Sequence, residues 1–305
     1  MISEMSRRDL ILDSQLQEFL HHFLYPLYLK GKTMESHWLN LGNYHWHYGT
    51  AGDSQRFPLV FFHGFLGNYQ EFAPAITALS QQFYCLAVDL PGHGQTTVKG
   101  DDRCYTLENT ALGLIHWLDF LEINTCGLVG YSMGGRLGLY LTLHFPEWFV
   151  ISILESTSPG LKTEQEREQR RAQDAQWIHR LQQEPLNTVL QAWYAQPLFA
   201  TLRHHPQFPQ LFAQRLQNDP QGLARSLQYL GTGQQPSLWP ALPQLTRPLY
   251  LITGEADRKF VQIHQQMAAY SPLIQTAVLP HCGHNSHWEQ PTAFIAKIRP
   301  WLTAL

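Results

Sequence analysis

The sequence predicts an α/β protein: a mostly parallel central sheet flanked by helices, with a helical cap insertion. Three features predict this. Short continuous apolar runs recur with helical stretches between them, the pattern of strands covered on both faces. One run leads through a glycine-flanked serine straight into an apolar-periodic segment. The alternation then fails over residues 159–240, which read as helices with no strand candidate.

The 305 residues suit one such domain with an insertion and can bury a sizeable core. With 44% hydrophobic and only 15% charged residues, the chain is not largely disordered. Its formal charge of -3 gives no general electrostatic reason to bind nucleic acid or an anionic membrane surface. No apolar run reaches the roughly 18 residues of a membrane span, so no stable membrane insertion is expected. The first residues carry acids and lack a long apolar stretch before a small-residue cleavage site, so a cytoplasmic protein is expected. Cys85, Cys104, Cys126 and Cys282 are scattered, suggesting neither a disulfide scaffold nor a redox pair. Nothing in the sequence sets the oligomeric state.

Residues 1–36 read as an N-terminal extension. Within it Leu16, Phe19, Leu20, Phe23 and Leu24 recur at helical spacing and Pro26 ends the pattern, so a helix docked on the main body is expected. A membrane-surface helix is disfavoured because the other face is not basic. Residues 37–158 form the first part of the α/β core. Asn43–Tyr48 is aromatic-rich and extended; Leu59–Phe62, Tyr84–Val88, Gly127–Val129 and Val150–Leu154 are buried strands, with helices around Phe72–Leu79 and Leu107–Leu121. The cap covers 159–240, with seven arginines and one lysine against six acids, a locally basic insertion in an acidic body. Residues 241–305 complete the core with strands at Leu249–Thr253 and Thr276–Leu279.

The strongest chemical signal is Gly130-Tyr131-Ser132-Met133-Gly134-Gly135, between the strand Gly127–Val129 and a helix expected to begin near Arg136. A serine on such a strand-to-helix turn projects its Oγ while the glycines relieve crowding. The Met133 N–H, at the start of that helix, is placed to stabilise a developing oxyanion. The loop His63-Gly64-Phe65-Leu66-Gly67 follows the first core strand and supplies the second donor, assigned to the Phe65 N–H. His63 and His93 read as loop braces.

A reactive serine needs a base and an orienting carboxylate. His284 follows the last strand and Asp257 the one before it, and loops at the carboxyl ends of parallel strands meet at one edge. His284 is then the base and Asp257 fixes its tautomer, with Glu255 the rival carboxylate. His281, Cys282, His284 and His287 invite a metal reading, but the spacing is short and no partner pair stands elsewhere, so no metal site is expected. The glycine clusters match neither G-x-G-x-x-G nor a P-loop, and no cofactor is expected. Arg136 is either a surface helix residue or, facing the pocket mouth, an anion ligand. The arginine-rich cap suits carboxylates, which guanidinium groups bind at two points.

The chain from about 58 to 304 resembles α/β-hydrolase-fold proteins. More narrowly, Val129–Arg136, Glu155–Leu161, Glu166–Trp177, Ala192–Phe199, Gly254–Phe260 and Gly283–His287 resemble the 2-succinyl-6-hydroxy-2,4-cyclohexadiene-1-carboxylate synthases of menaquinone and phylloquinone biosynthesis. That resemblance implies a lyase eliminating pyruvate from 2-succinyl-5-enolpyruvyl-6-hydroxy-3-cyclohexene-1-carboxylate, a small-molecule polycarboxylate, with no metal or organic cofactor. By matching motifs it implies Arg136, Arg170 and Arg215 as substrate-binding residues, with Tyr131 and Trp193 shaping the pocket. Arg171 or Arg180 remain alternatives within the cap. The family's short forms begin near the first strands, so residues 1–36 depart from its pattern. The alternative function is a serine hydrolase of esters or carbon–carbon bonds in a small carboxylated substrate, which would share Ser132, Asp257 and His284. A non-enzymatic receptor on this fold would need that trio disarmed, and all three are present.

Overall fold

The structure, a computed structural model, describes residues 34–303. The helix expected over Leu16–Leu24 lies outside the described residues. The described strands are β1 (Glu35–Leu41), β2 (Tyr44–Ala51), β3 (Pro58–Phe62), β4 (Tyr84–Val88), β5 (Thr97–Val98), β6 (Cys126–Tyr131), β7 (Phe149–Glu155), β8 (Leu249–Gly254) and β9 (Ile274–Leu279). They form one sheet in the order β1-β2-β4-β3-β6-β7-β8-β9, with β5 beside β2. From β4 to β9 every pairing is parallel; β1 and β2 are antiparallel.

The buried strands β3, β4, β6, β7 and β8 sit where continuous apolar runs place them, because both of their faces are covered. Two features depart from the expectation. β1 begins at Glu35, inside the stretch assigned to the extension. It is an edge strand whose residues are all half-buried or exposed, so it lacks the apolar run that marks its neighbours. It turns into β2 through Gly42-Asn43, where Gly42 takes φ +57°, a conformation glycine adopts without cost.

Helices α1 (Ala73–Leu79), α2 (Leu107–Phe120), α3 (Met133–His144) and, after the insertion, α9 (Arg258–Ala268), α10 (Ser286–Glu289) and α11 (Pro291–Leu302) accompany the sheet. Leu114, Trp117, Leu137, Leu141 and Met267 from α2, α3 and α9 pack on one face. Ile76, Leu79, Phe294 and Ile298 from α1 and α11 pack on the other against Phe61, Val129 and Ile153. The second departure is the start of α3, at Met133 rather than near Arg136. Gly134 and Gly135 weaken the helical pattern in sequence. A Cβ on Gly134 would run into the carbonyl oxygens of Phe62 and His63, so the close approach of α3 to β3 requires it.

Between β7 and β8 the chain forms α4 (Glu164–Gln183), α5 (Leu186–Tyr194), α6 (Ala200–Arg203), α7 (Phe208–Arg215) and α8 (Pro220–Leu230), with no strand among them. α4 starts at a reciprocal capping box between Thr163 and Glu166 and buries only Asp174 and Leu181, as an outer helix rich in Gln and Arg should. Leu190, Leu211, Leu223 and Leu227 form a separate apolar cluster, completed by Leu66 from the loop after β3 and Trp288 from α10. That contact seats the inserted helices on the loops where the site forms.

Candidate active site

Ser132 joins β6 to α3 at φ +50°, ψ -104°, a strained left-handed backbone for a residue with a Cβ. Its N–H donates to the carbonyl of Glu155 at the end of β7, 2.9 Å away. Gly130 must lack a side chain too, since a Cβ there would stand 2.8 Å from the Gly134 oxygen. The turn therefore pushes the serine hydroxyl out of the sheet and into a cavity.

His284 Nε2 lies 3.1 Å from Ser132 Oγ, and its Nδ1 lies 2.6 Å from Asp257 Oδ2. Both His284 and Asp257 are buried. The two loops that carry them are tied by the Ala256 N–H, which donates to the Cys282 carbonyl at 3.0 Å. Glu255 is exposed, so Asp257 is the carboxylate that meets the imidazole. The rings of Phe260, Tyr131 and Phe199 surround His284 at 4.8, 5.5 and 5.9 Å between centroids. Phe199 comes from the insertion, which thus closes the imidazole from above.

Met133 and Phe65 both line the cavity. Among the described residues neither N–H has a hydrogen-bond acceptor, so both donors are available to a ligand oxygen. The Phe65 loop is held by a Gly67 N–H to Gly64 carbonyl bond of 2.9 Å. His63 braces it, donating from Nδ1 to the Gly64 carbonyl while Nε2 accepts from the Leu90 N–H. Burial pushes the His63 imidazole below its ordinary value, in keeping with a neutral ring in that role.

The cavity holds about 190 Å³ and is lined by Arg136, Arg170, Arg215, Tyr131 and Trp193 as well as Ser132 and His284. Arg136 is buried and spends its guanidinium on neutral acceptors, Gln235 Oε1 at 2.8 Å and the Leu230 carbonyl at 2.9 Å. Burial and the neighbouring Arg170 lower it to about 10, and Asp174 offsets only part of that shift. Arg170 is partly exposed and pairs with Asp174 at 2.8 Å. Arg171 and Arg180 stand outside the cavity lining, paired with Glu164 and Glu184. Trp193 packs edge-on against Trp177 and lies beside Phe65, each at 5.0 Å. Lys259, two residues after Asp257, also lines the cavity and forms no ion pair among the described residues. The sequence reading gave it no role; its place in the first turn of the helix that Asp257 caps was the available signal.

The sequence also hid a buried charge cluster behind the site. Arg215 Nη2 meets Glu71 Oε2 at 2.6 Å; Glu71 Oε1 also lies 3.3 Å from His287 Nε2, whose Nδ1 meets Glu155 Oε2 at 2.6 Å. All four residues are buried. Arg215 Nη1 is buried and has no hydrogen-bond partner, and Arg215 is among the residues lining the cavity. Burial alone would raise the Glu71 carboxyl, but Arg215 and His287 bring it down to about 2. Burial alone would lower His287, but the Glu155 and Glu71 carboxylates raise it to about 9 from 6.5. A raised imidazole stabilises the fold fully below its unfolded value near 6.5, and that contribution disappears as pH rises through about 9. Thermal unfolding midpoints are therefore expected to fall between pH 7 and 10 more steeply in the parent than in His287→Gln. Parallel curves would remove His287 from the stability account.

The four residues of the sequence-level metal reading diverge. His284 faces Ser132, His287 faces two glutamates, Cys282 Sγ points to the Leu279 carbonyl, and His281 is exposed. Among the described residues no group of three or more His, Cys, Asp or Glu could hold a metal ion, and no helix is long and apolar enough to cross a membrane. The four cysteines are free and buried.

A serine on a strained turn, an imidazole and a carboxylate at the carboxyl edge of a parallel sheet are the parts of one enzyme superfamily, and the family model for the alpha/beta hydrolase family matches residues 59–298. The chain belongs to that family and, within it, to the group of 2-succinyl-6-hydroxy-2,4-cyclohexadiene-1-carboxylate synthases. Its similarity to the synthase of that name from Serratia proteamaculans is 36% identity, covering 82% of this chain and 95% of the relative. With the Enterobacter synthase it is 38%, covering 81% and 92%. Protein PHYLLO of Arabidopsis thaliana is 32% identical over 80% of this chain, which spans only 15% of that longer protein. Among solved structures, MenH from S. aureus superposes with a TM-score of 0.80 at 31% identity, covering 87% of this chain and 99% of the other.

Proposed function

We propose that the protein is a carbon–oxygen lyase that eliminates pyruvate from 2-succinyl-5-enolpyruvyl-6-hydroxy-3-cyclohexene-1-carboxylate, giving 2-succinyl-6-hydroxy-2,4-cyclohexadiene-1-carboxylate. The observation that carries the reading is a Ser132–His284–Asp257 relay opening into a cavity lined by Arg136, Arg170 and Arg215. The names of the relatives support it. The helices of 159–240 serve as the cap, supplying Arg170, Arg215 and Trp193.

In this mechanism His284 Nε2 takes the proton of Ser132, and Ser132 removes a ring proton made acidic by conjugation with the succinyl carbonyl. Asp257 holds the tautomer and steadies the imidazolium. The electron pair from the broken C–H bond is delocalised onto the succinyl carbonyl oxygen, giving an enolate whose developing oxyanion the Met133 and Phe65 N–H groups steady. It then forms the new ring double bond as the carbon–oxygen bond to the enolpyruvyl group breaks. Pyruvate leaves as its enolate and is protonated on carbon with the proton that the His284 imidazolium gives up, which returns His284 and Ser132 to their starting states. The guanidinium groups hold the carboxylates in register with the serine, so binding supplies orientation.

The test is to supply the enolpyruvyl substrate and follow pyruvate. Ester turnover without pyruvate would replace this reading by the serine-hydrolase alternative. Arg136→Ala and Arg170→Ala are each expected to raise KM about 10- to 100-fold, the loss of a charge-assisted hydrogen bond of roughly 1.5–3 kcal/mol. Arg171→Ala should leave KM unchanged. Unaltered KM in all three variants would exclude arginine-bound carboxylates.

A further inference from the structure

Glu155 touches both halves of the site without entering the cavity. Its backbone carbonyl accepts the Ser132 N–H at 2.9 Å, at the one residue of the elbow with a strained backbone. Its carboxylate accepts from Ser286 Oγ at 2.7 Å, from the His287 N–H at 3.1 Å and from His287 Nδ1 at 2.6 Å. These partners lie two and three residues after His284 in the chain. One residue therefore grips the turn that carries the nucleophile and the loop that carries the base. His287 extends the grip: both ring nitrogens face carboxylates, so both must donate, and Glu71 beyond it reaches Arg215 on α7.

We infer that Glu155 and His287 are positioning residues: a buried chain, Glu155–His287–Glu71–Arg215, sets the distance between Ser132 and His284 and clamps the cap to that setting. The inference rests on the Ser132–His284 reading of the site, and deepens it by naming what holds the pair together. The physical reason is that a hydroxyl and an imidazole 3.1 Å apart on separate loops hold that spacing only if both loops are tied to one rigid body. The end of β7, paired with β6 and β8 on either side, is that body. A buried network of this kind favours one arrangement, and removing a member loosens it. The charged and titratable groups facing His287 are Glu155 on β7, Glu71 before α1 with Arg215 behind it, and Tyr131 on β6; Phe72 and Phe294 cover its remaining faces.

The test uses the full chain and a neutral fluorophosphonate, whose labelling of Ser132 needs the serine and imidazole but no pyruvate chemistry. Glu155→Gln and His287→Gln are expected to lower the labelling rate and kcat about 10- to 100-fold while KM stays within about threefold, because misplacing reacting groups by about 1 Å costs that much. In the parent, the labelling rate should fall reversibly as pH rises through about 9, and this limb should be missing in His287→Gln. A purely structural role would leave kcat, KM and pH profile of the folded fraction unchanged, which overturns the inference. So would labelling rates within threefold of the parent in both variants, or a parent rate that stays level to pH 10. Should the variants not fold, the parent's pH limb decides alone. Normal labelling without pyruvate sinks the lyase reading and leaves this inference standing; normal pyruvate release with unaltered variants sinks the inference alone.

Discussion

Ser132→Ala is expected to lower the rate of pyruvate release by at least about 10⁴-fold while the protein remains folded. Removing one member of such a relay costs nearly as much as removing all of it, since the groups act as a unit. Asp257→Asn should cost on the order of 10⁴ by presenting the wrong imidazole tautomer, even with its geometry intact. In both variants KM is expected to stay near the parent's, because the carboxylates are held by arginines rather than by the relay. Single-turnover pyruvate release, measured beside a thermal melt, checks all of this. Activity of Ser132→Ala within tenfold of the parent would mean that another group takes the proton and that the chemistry proposed for this cavity is wrong.

The second large effect falls on stability. Arg215→Ala is expected to destabilise the protein by roughly 3–5 kcal/mol, the usual cost of leaving a buried charge without its partner. Glu71 is buried, and its two oxygens converge on Arg215 Nη2 at 2.7 and 2.6 Å, so only His287 and the neutral Asn285 amide, 3.4 Å away, would remain to compensate it. Arg170→Ala removes a partly exposed pair with Asp174 and should cost under about 1 kcal/mol. Melting curves of the two variants separate these cases, and the double variant Arg215→Ala/Glu71→Gln should recover part of the loss. Equal melting points for Arg170→Ala and Arg215→Ala would show the Glu71 pair to be worth no more than a surface contact.

Much of this architecture is readable in the sequence because its signals are local. A strand buried on both faces writes itself as an unbroken apolar run, so β4 is found at its observed limits, Tyr84–Val88. The elbow, the Asp257 loop and the His284 loop each follow such a run within a few residues, so the three groups can be placed at one sheet edge before any coordinate is known. What stays hidden is either patternless or long-range. β1 is an edge strand with no apolar stripe, and the first turn of α3 is disguised by the glycines that let it approach β3. The charge cluster joins residues 132 and 144 positions apart. A glutamate or arginine is solvated far more often than buried, so composition gives no sign that Glu71, Glu155 and Arg215 are enclosed. The family resemblance pointed to Arg136, Arg170 and Arg215, which line one cavity, yet it could not tell that Arg215 is already half committed to Glu71.

The Glu71–Arg215 contact also limits how this enzyme can be rebuilt. An engineer who grafts the helical insert of a relative onto this scaffold, hoping to import its selectivity, must transplant the matching acid from the loop before α1 along with it. A donor insert carrying a neutral side chain at position 215 would strand that acid in a dry interior, and the chimaera would start with the same loss of roughly 3–5 kcal/mol before any gain in selectivity.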